Sequence, residues 1–180
     1  ANVIVSVAPD FFGTWLAGAG HTQQYAKNRD YKSLKNGKMS RHVQFESGLS
    51  MTGTNADARI AIKPSEEGAT LVALYNAITG QSLAGATANK KAQKGVALAA
   101  KELVNSKGAA VVVAGSNDVN VQVLVNAINV ALGAYGTIID LDNYSKQYQG
   151  SDSSLQAFLA AAKSGQVGVA FFLNSNPVYD

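Results

Sequence analysis

The chain has 180 residues, 47% of them hydrophobic and 15% charged, with a net charge of +3 and a mean hydropathy of +0.01. It has no cysteine, which excludes disulfides, cysteine-bound zinc and any iron–sulfur cluster ligated by these residues. No apolar run approaches the ~18 residues that a membrane-spanning helix needs, and the length fits one domain able to bury a core without staples.

In chain order, Asn2 to Ala8 is a short apolar run rich in β-branched residues, hence a strand. Pro9-Asp10-Phe11-Phe12-Gly13 ends it, and Thr22 to Asn28 reads as a short helix with Thr22 as its N-cap. Arg41 to Glu46 alternates as a strand does, Ser47 to Asp57 reads as a loop, and Arg59 to Ile62 reads as another strand. Pro64 and Ser65 open a helix whose first turn carries Glu66 and Glu67, acids that suit the positive end of a helix dipole; Gly80 closes it. Gly80 to Asn89 reads as a flexible link, and Lys90 to Ser106 as an amphipathic helix.

Ala109 to Ala114, three valines among alanines, is the clearest strand, with the uninterrupted apolar run of a strand covered on both faces. Val119 to Leu132 carries both periodicities. Its length favours a helix, with Asn117 placed to cap its start and Gly133 its end. Gly136 to Leu141 reads as a strand, Asp152 to Ser164 as a helix and Gln166 to Leu173 as a last strand. The second half is thus expected to form a βαβαβ unit. The whole is expected to be a single α/β domain over residues 1–180, a three-layer sandwich with a mainly parallel, Rossmann-like sheet. The abrupt start at Ala1 and the loop that is cut off at Asp180 predict a piece of a longer chain.

Lys27, Arg29, Lys32, Lys35, Lys38 and Arg41 fall in one stretch with Asp30 as its only acid. This reads as a solvated interaction loop, with a patch for an anionic partner as the alternative. The charged fraction lies well under the ~25% typical of globular domains. Part of the surface is therefore expected to be covered by other domains or subunits.

The usual chemical motifs are incomplete. Gly80-Gln81-Ser82-Leu83-Ala84-Gly85-Ala86-Thr87 has P-loop spacing but Ala86 in place of the lysine, and it follows a helix. Gly18-Ala19-Gly20 lacks the third glycine of a dinucleotide fingerprint. His21 and His42, the only histidines, have no metal-ligand spacing with Glu46 or Asp57 and read as ordinary surface or loop residues. No serine sits in a nucleophile elbow.

The best constellation is a set of strand-end loops: Ala8-Pro9-Asp10, Gly115-Ser116-Asn117-Asp118 and Asn174-Ser175-Asn176-Pro177. If their strands are parallel, the loops share one edge, and their N–H groups and small side chains could hold a nucleotide or pterin phosphate. Small polar residues also end strands in any α/β protein.

At these loops the sequence resembles a known family. Asp10-Phe11-Phe12-Gly13-Thr14-Trp15 and Met51-Thr52-Gly53-Thr54-Asn55-Ala56-Asp57-Ala58-Arg59 are similar to segments of the large subunits of molybdopterin-dependent oxidoreductases. So are Val112-Val113-Ala114-Gly115-Ser116, Asn126-Ala127-Ile128-Asn129 with Leu132-Gly133, and the terminal Asn176-Pro177-Val178-Tyr179-Asp180. The resemblance runs along nearly the whole chain. It is nearest to the branch without a functional molybdenum site, the iron–sulfur subunit of alternative complex III, a quinol:electron-acceptor oxidoreductase.

The resemblance implies a pterin crevice at the strand ends in active relatives. Asp10, Gly115, Ser116, Asn117, Asn174, Ser175, Asn176 and Pro177 would then be the cofactor-side positions, with Asn176 and Pro177 in contact with the guanine nucleotide part. The family commonly carries glycine where this chain has Ser175, which favours the cofactor-free branch. The implied role is a non-catalytic scaffold that carries no cofactor itself, in a respiratory subunit on the periplasmic side of the inner membrane. Its clusters would be held elsewhere in the parent chain, and its partners would be the parent's other domains and the subunits of a membrane-bound complex. Neither nucleic acid nor direct membrane insertion is expected. The alternatives are a domain of an active molybdoenzyme that binds molybdopterin guanine dinucleotide, and a free-standing nucleotide-binding protein.

Overall fold

The computed structural model describes residues 1–32, 34, 37, 39–144 and 150–179. The chain divides into two compact units, Ala1–Tyr144 and Ser145–Asp180, and each is described by itself.

The first unit is an α/β fold built on a four-stranded, all-parallel sheet. Its strands are β1 (Val3–Val7), β2 (Arg41–Glu46), β3 (Ala58–Ala61) and β4 (Ala110–Ala114), in the spatial order β3-β2-β1-β4. The described helices are α1 (Gly18–Lys27), the one-turn α2 (Met51–Thr54), α3 (Glu67–Thr79), α4 (Lys90–Asn105) and α5 (Val119–Leu132), with α6 (Asp152–Lys163) in the second unit.

Strand alternation sorts the side chains. Val3, Val5 and Val7 of β1, Val43 and Phe45 of β2 and Val112 of β4 point to one face, where they form a core with Leu71, Leu74, Leu103 and Ile128 of α3, α4 and α5. α4 comes close to the sheet because Gly95 has no side chain: a Cβ there would lie 2.6 Å from Ile60 and 2.9 Å from Phe45. Pro64–Glu66 forms a 3-10 turn that leads into α3, and Gly80 and Gly133 end α3 and α5 in left-handed conformation. These ends are as the sequence predicts.

Several expected elements differ. α1 starts at Gly18, and Thr22 is no cap, because its hydroxyl donates to the Gly18 carbonyl at 2.8 Å inside the helix. Asp118, not Asn117, caps α5, accepting from Asn120 N at 2.7 Å and Val121 N at 3.2 Å. The Ser47–Asp57 loop contains α2, capped by Ser50, whose Oγ accepts from Gly53 N at 2.8 Å.

Gly136–Leu141 is not a strand. It makes a turn closed by one isolated bridge, Tyr135 to Ile139. Gln166–Leu173 is not a strand either: it has no ladder partner, and Val169 and Phe171 are 72% and 93% exposed. Of the expected βαβαβ unit of the second half, β4 and the helices α5 and α6 form, and the two later strands do not.

For Gly136–Leu141 a physical reason lies at the edge of β4. The Val112 N–H donates to Asn129 Oδ1 at 2.9 Å, and the Val112 carbonyl accepts from Asn129 Nδ2 at 2.8 Å. A fifth strand would need those two groups, and the buried carboxamide of Asn129 already mimics a peptide there.

Candidate functional site

In an open parallel sheet, ligands bind beyond the carboxyl ends of the strands, where the strand order reverses. Here the reversal lies between β1 and β4, and Asp10 and Gly115-Ser116-Asn117 follow those two strands on the same edge. Asn174, Ser175, Asn176 and Pro177 belong to the second unit, where no strand precedes them.

The β1 and β4 loops meet backbone to backbone. Gly115 N donates to the Val7 carbonyl at 3.0 Å, and a Cβ on Gly115 would lie 2.7 Å from the Ala8 carbonyl oxygen. Ala8 adopts φ +63°, unusual for a residue with a side chain. Ser116 serves its own turn: its Oγ accepts from Asp118 N at 3.1 Å and its carbonyl accepts from Gln122 Nε2 at 2.5 Å.

The two carboxylates at this edge are engaged within the fold. Asp10 Oδ1 accepts from Thr52 N at 3.0 Å, Thr52 Oγ1 at 2.8 Å and Gly13 N at 3.3 Å, tying the β1 loop to α2. Glu46, at the end of β2, accepts from Ser50 Oγ and Arg59 Nε, each at 2.5 Å, and from Gln44 Nε2 at 3.0 Å. Burial pushes the Glu46 pKa up, but those hydrogen bonds outweigh it and hold the carboxyl below its ordinary range. The edge thus presents occupied acceptors and negative charge, a poor cradle for phosphate.

The second face of the sheet carries an unexpected polar ladder. Ser6 of β1 and His42, Gln44 and Glu46 of β2 all point to it, and all are buried. Gln44 Nε2 donates to the Pro9 carbonyl at 3.1 Å and to Glu46 Oε2, so its Oε1 must face Ser6 and accept that hydroxyl's proton. His42 Nε2, 2.7 Å from Ser6 Oγ, is therefore the N–H donor of that pair. Nδ1 lies 3.3 Å from the Tyr25 hydroxyl, which donates to the Asn55 carbonyl at 2.9 Å.

His42 has no exposed surface, contrary to the surface or loop residue expected from the sequence. Burial, and then the nearby Arg29, lower its pKa to about 4. Burial likewise raises Tyr25 to about 12.

Arg29 leaves the expected solvated stretch. It pairs with Asp57, donates to the Ser40 carbonyl at 2.8 Å and lies 4.5 Å from the Tyr25 ring centroid. Asp57 in turn accepts from His42 N at 2.7 Å. Lys35 and Lys38 of that stretch lie outside the described residues.

Beside the ladder, α1 and the β1 loop stand off the sheet and leave a cavity of about 570 Å³ with aromatic walls. The sequence signal for it was the Phe11, Phe12, Trp15, His21, Tyr25 series. Without the fold, those rings cannot be told from ordinary core residues. The Gly80–Thr87 segment holds no phosphate cradle: the Asn76 side chain bonds Leu83 N at 2.9 Å and its carbonyl at 2.8 Å.

No protein-family model and no curated protein matches this chain.

Proposed function

We propose that this chain is a non-catalytic scaffold domain of a larger respiratory subunit of the molybdopterin-oxidoreductase type. In this reading the parent passes electrons from quinol to a periplasmic acceptor through iron–sulfur clusters held elsewhere, and this domain packs against the cluster-bearing parts and the partner subunits. The sequence resemblance supplies the family.

The observation that carries the scaffold role is an uncovered apolar face. On α5, Val125, Ile128 and Leu132 enter the core, while Val119, Val123 and Val130 are 73%, 61% and 67% exposed along the opposite side. Valines at positions i, i+4 and i+11 of a helix form an outward stripe, the composition of a surface made to be covered. The alternatives that require a nucleotide or pterin phosphate fit less well, because the strand-end loops are closed on each other and the carboxylates beside them are negative and engaged.

Calorimetric titration with GMP tests the choice. The scaffold reading expects no binding tighter than about 10 μM, roughly −7 kcal/mol, with the wild type or with Ser175→Gly. Tighter wild-type binding would favour the pterin-nucleotide reading.

A further inference from the structure

We propose that the second face of the sheet holds a binding site for a small, flat, uncharged aromatic molecule, in the cavity between α1, β1 and β4. The inference does not depend on the scaffold reading.

The floor of the cavity is the sheet itself. Ile4 and Val111 are register partners on adjacent strands, and Val113 follows two residues along on the same face. Three β-branched or branched aliphatic side chains on two neighbouring parallel strands make a level apolar surface, which suits a flat guest.

The walls are aromatic. Phe11 and Trp15 cross at 61° with their centroids 6.1 Å apart, and Trp15 and His21 cross at 72° with theirs 5.8 Å apart. Steeply tilted rings present electropositive edges beside electronegative faces, the arrangement that another aromatic ring completes. Tyr25, fixed beneath by Asn55 and His42, prolongs this wall.

Two features set the polarity of the guest. Among the described residues no Asp, Glu, Lys or Arg side chain lines the cavity, so apart from the main-chain amine of Ala1 at its rim no charged group there would compensate an ionic guest. Hydrogen bonding is nevertheless available. His21 Nδ1 is 3.4 Å from the Phe11 carbonyl, which can only accept, so in the neutral ring Nε2 is left as an acceptor. Gln24 and Ser40 add an amide and a hydroxyl. A volume of about 570 Å³ lies within the ~300–1,000 Å³ range of small-molecule sites.

Trp15 is the only tryptophan in the chain, so its fluorescence reports occupancy directly. The test titrates the intact chain with 2-naphthol, with 2-naphthalenesulfonate as the charged comparator and cyclohexanol as the non-aromatic one. The expected result is saturable 2-naphthol binding at one site by fluorescence and calorimetry, with both comparators at least tenfold weaker. Val111→Phe, which fills the floor, should weaken 2-naphthol binding at least tenfold. Val123→Phe on the outer face of α5 should leave it unchanged. Should Val111→Phe fail to fold, Trp15→Leu at the exposed rim, followed by calorimetry, should give the same loss. Absence of saturable binding would overturn the proposal. So would equal binding of the sulfonate or of cyclohexanol, or 2-naphthol binding insensitive to the folded cavity variants.

Discussion

His42 concentrates the electrostatic tension of the fold. Its hydrogen-bond partners would accept an imidazolium: Ser6 hands a proton on to Gln44, and Tyr25 presents an oxygen to Nδ1. Burial and Arg29 oppose that charge, and they prevail. The ring titrates near 6.5 when unfolded and near 4 when folded, so between those values the unfolded chain binds more protons. Stability should therefore fall as pH drops from about 6.5 to about 4, by on the order of 3 kcal/mol. Glu46 and Asp57 have carboxyls held below their ordinary pKa values, so their contribution is lost only at lower pH. Urea unfolding across this range should show the loss in the wild type and a flatter profile in His42→Gln. An equally steep profile in the variant would show that another group is responsible.

At the scale of the elements, the sheet ends at β4 because of one helix side chain. Asn129 is 2% exposed and satisfies both main-chain groups of Val112. Asn129→Leu removes both bonds while keeping the branching of the side chain, leaving an N–H and a C=O without partners at a buried edge. A loss of about 2–4 kcal/mol in urea unfolding is expected, and an unchanged midpoint would mean that water serves the edge equally well.

The same residue explains what the sequence could and could not reveal. β4, α3 and α5 are legible because valine runs, an opening proline and closing glycines act locally. Gln166–Leu173 carries strand composition and has no ladder partner. Gly136–Leu141 carries it too, but a strand needs a free edge. Nothing local in an asparagine among the apolar residues of α5 signals that it occupies one. The alternation of β2 was equally visible, yet its polar side is buried. The Phe11–Tyr25 cluster and α1 cover it, and that cover arises from tertiary packing. Of the candidate site, Asp10 and Gly115–Asn117 follow parallel strands and share an edge, but their engagement with Thr52, Ala8 and Gln122 depends on distances that no spacing rule encodes.

At the scale of the whole molecule, each unit leaves apolar surface uncovered. The α5 valines carry it in the first unit. In the second unit Phe171, Leu173, Val178 and Tyr179 are each more than four-fifths exposed. Surfaces of this kind are buried by partners in assembled proteins. The most direct measurement is carbene footprinting of Val119, Val123 and Val130, first in the chain alone and then in the intact complex that contains it. The scaffold account predicts strong labelling of all three in the isolated chain and protection in the assembly. Equal labelling in both states would contradict it.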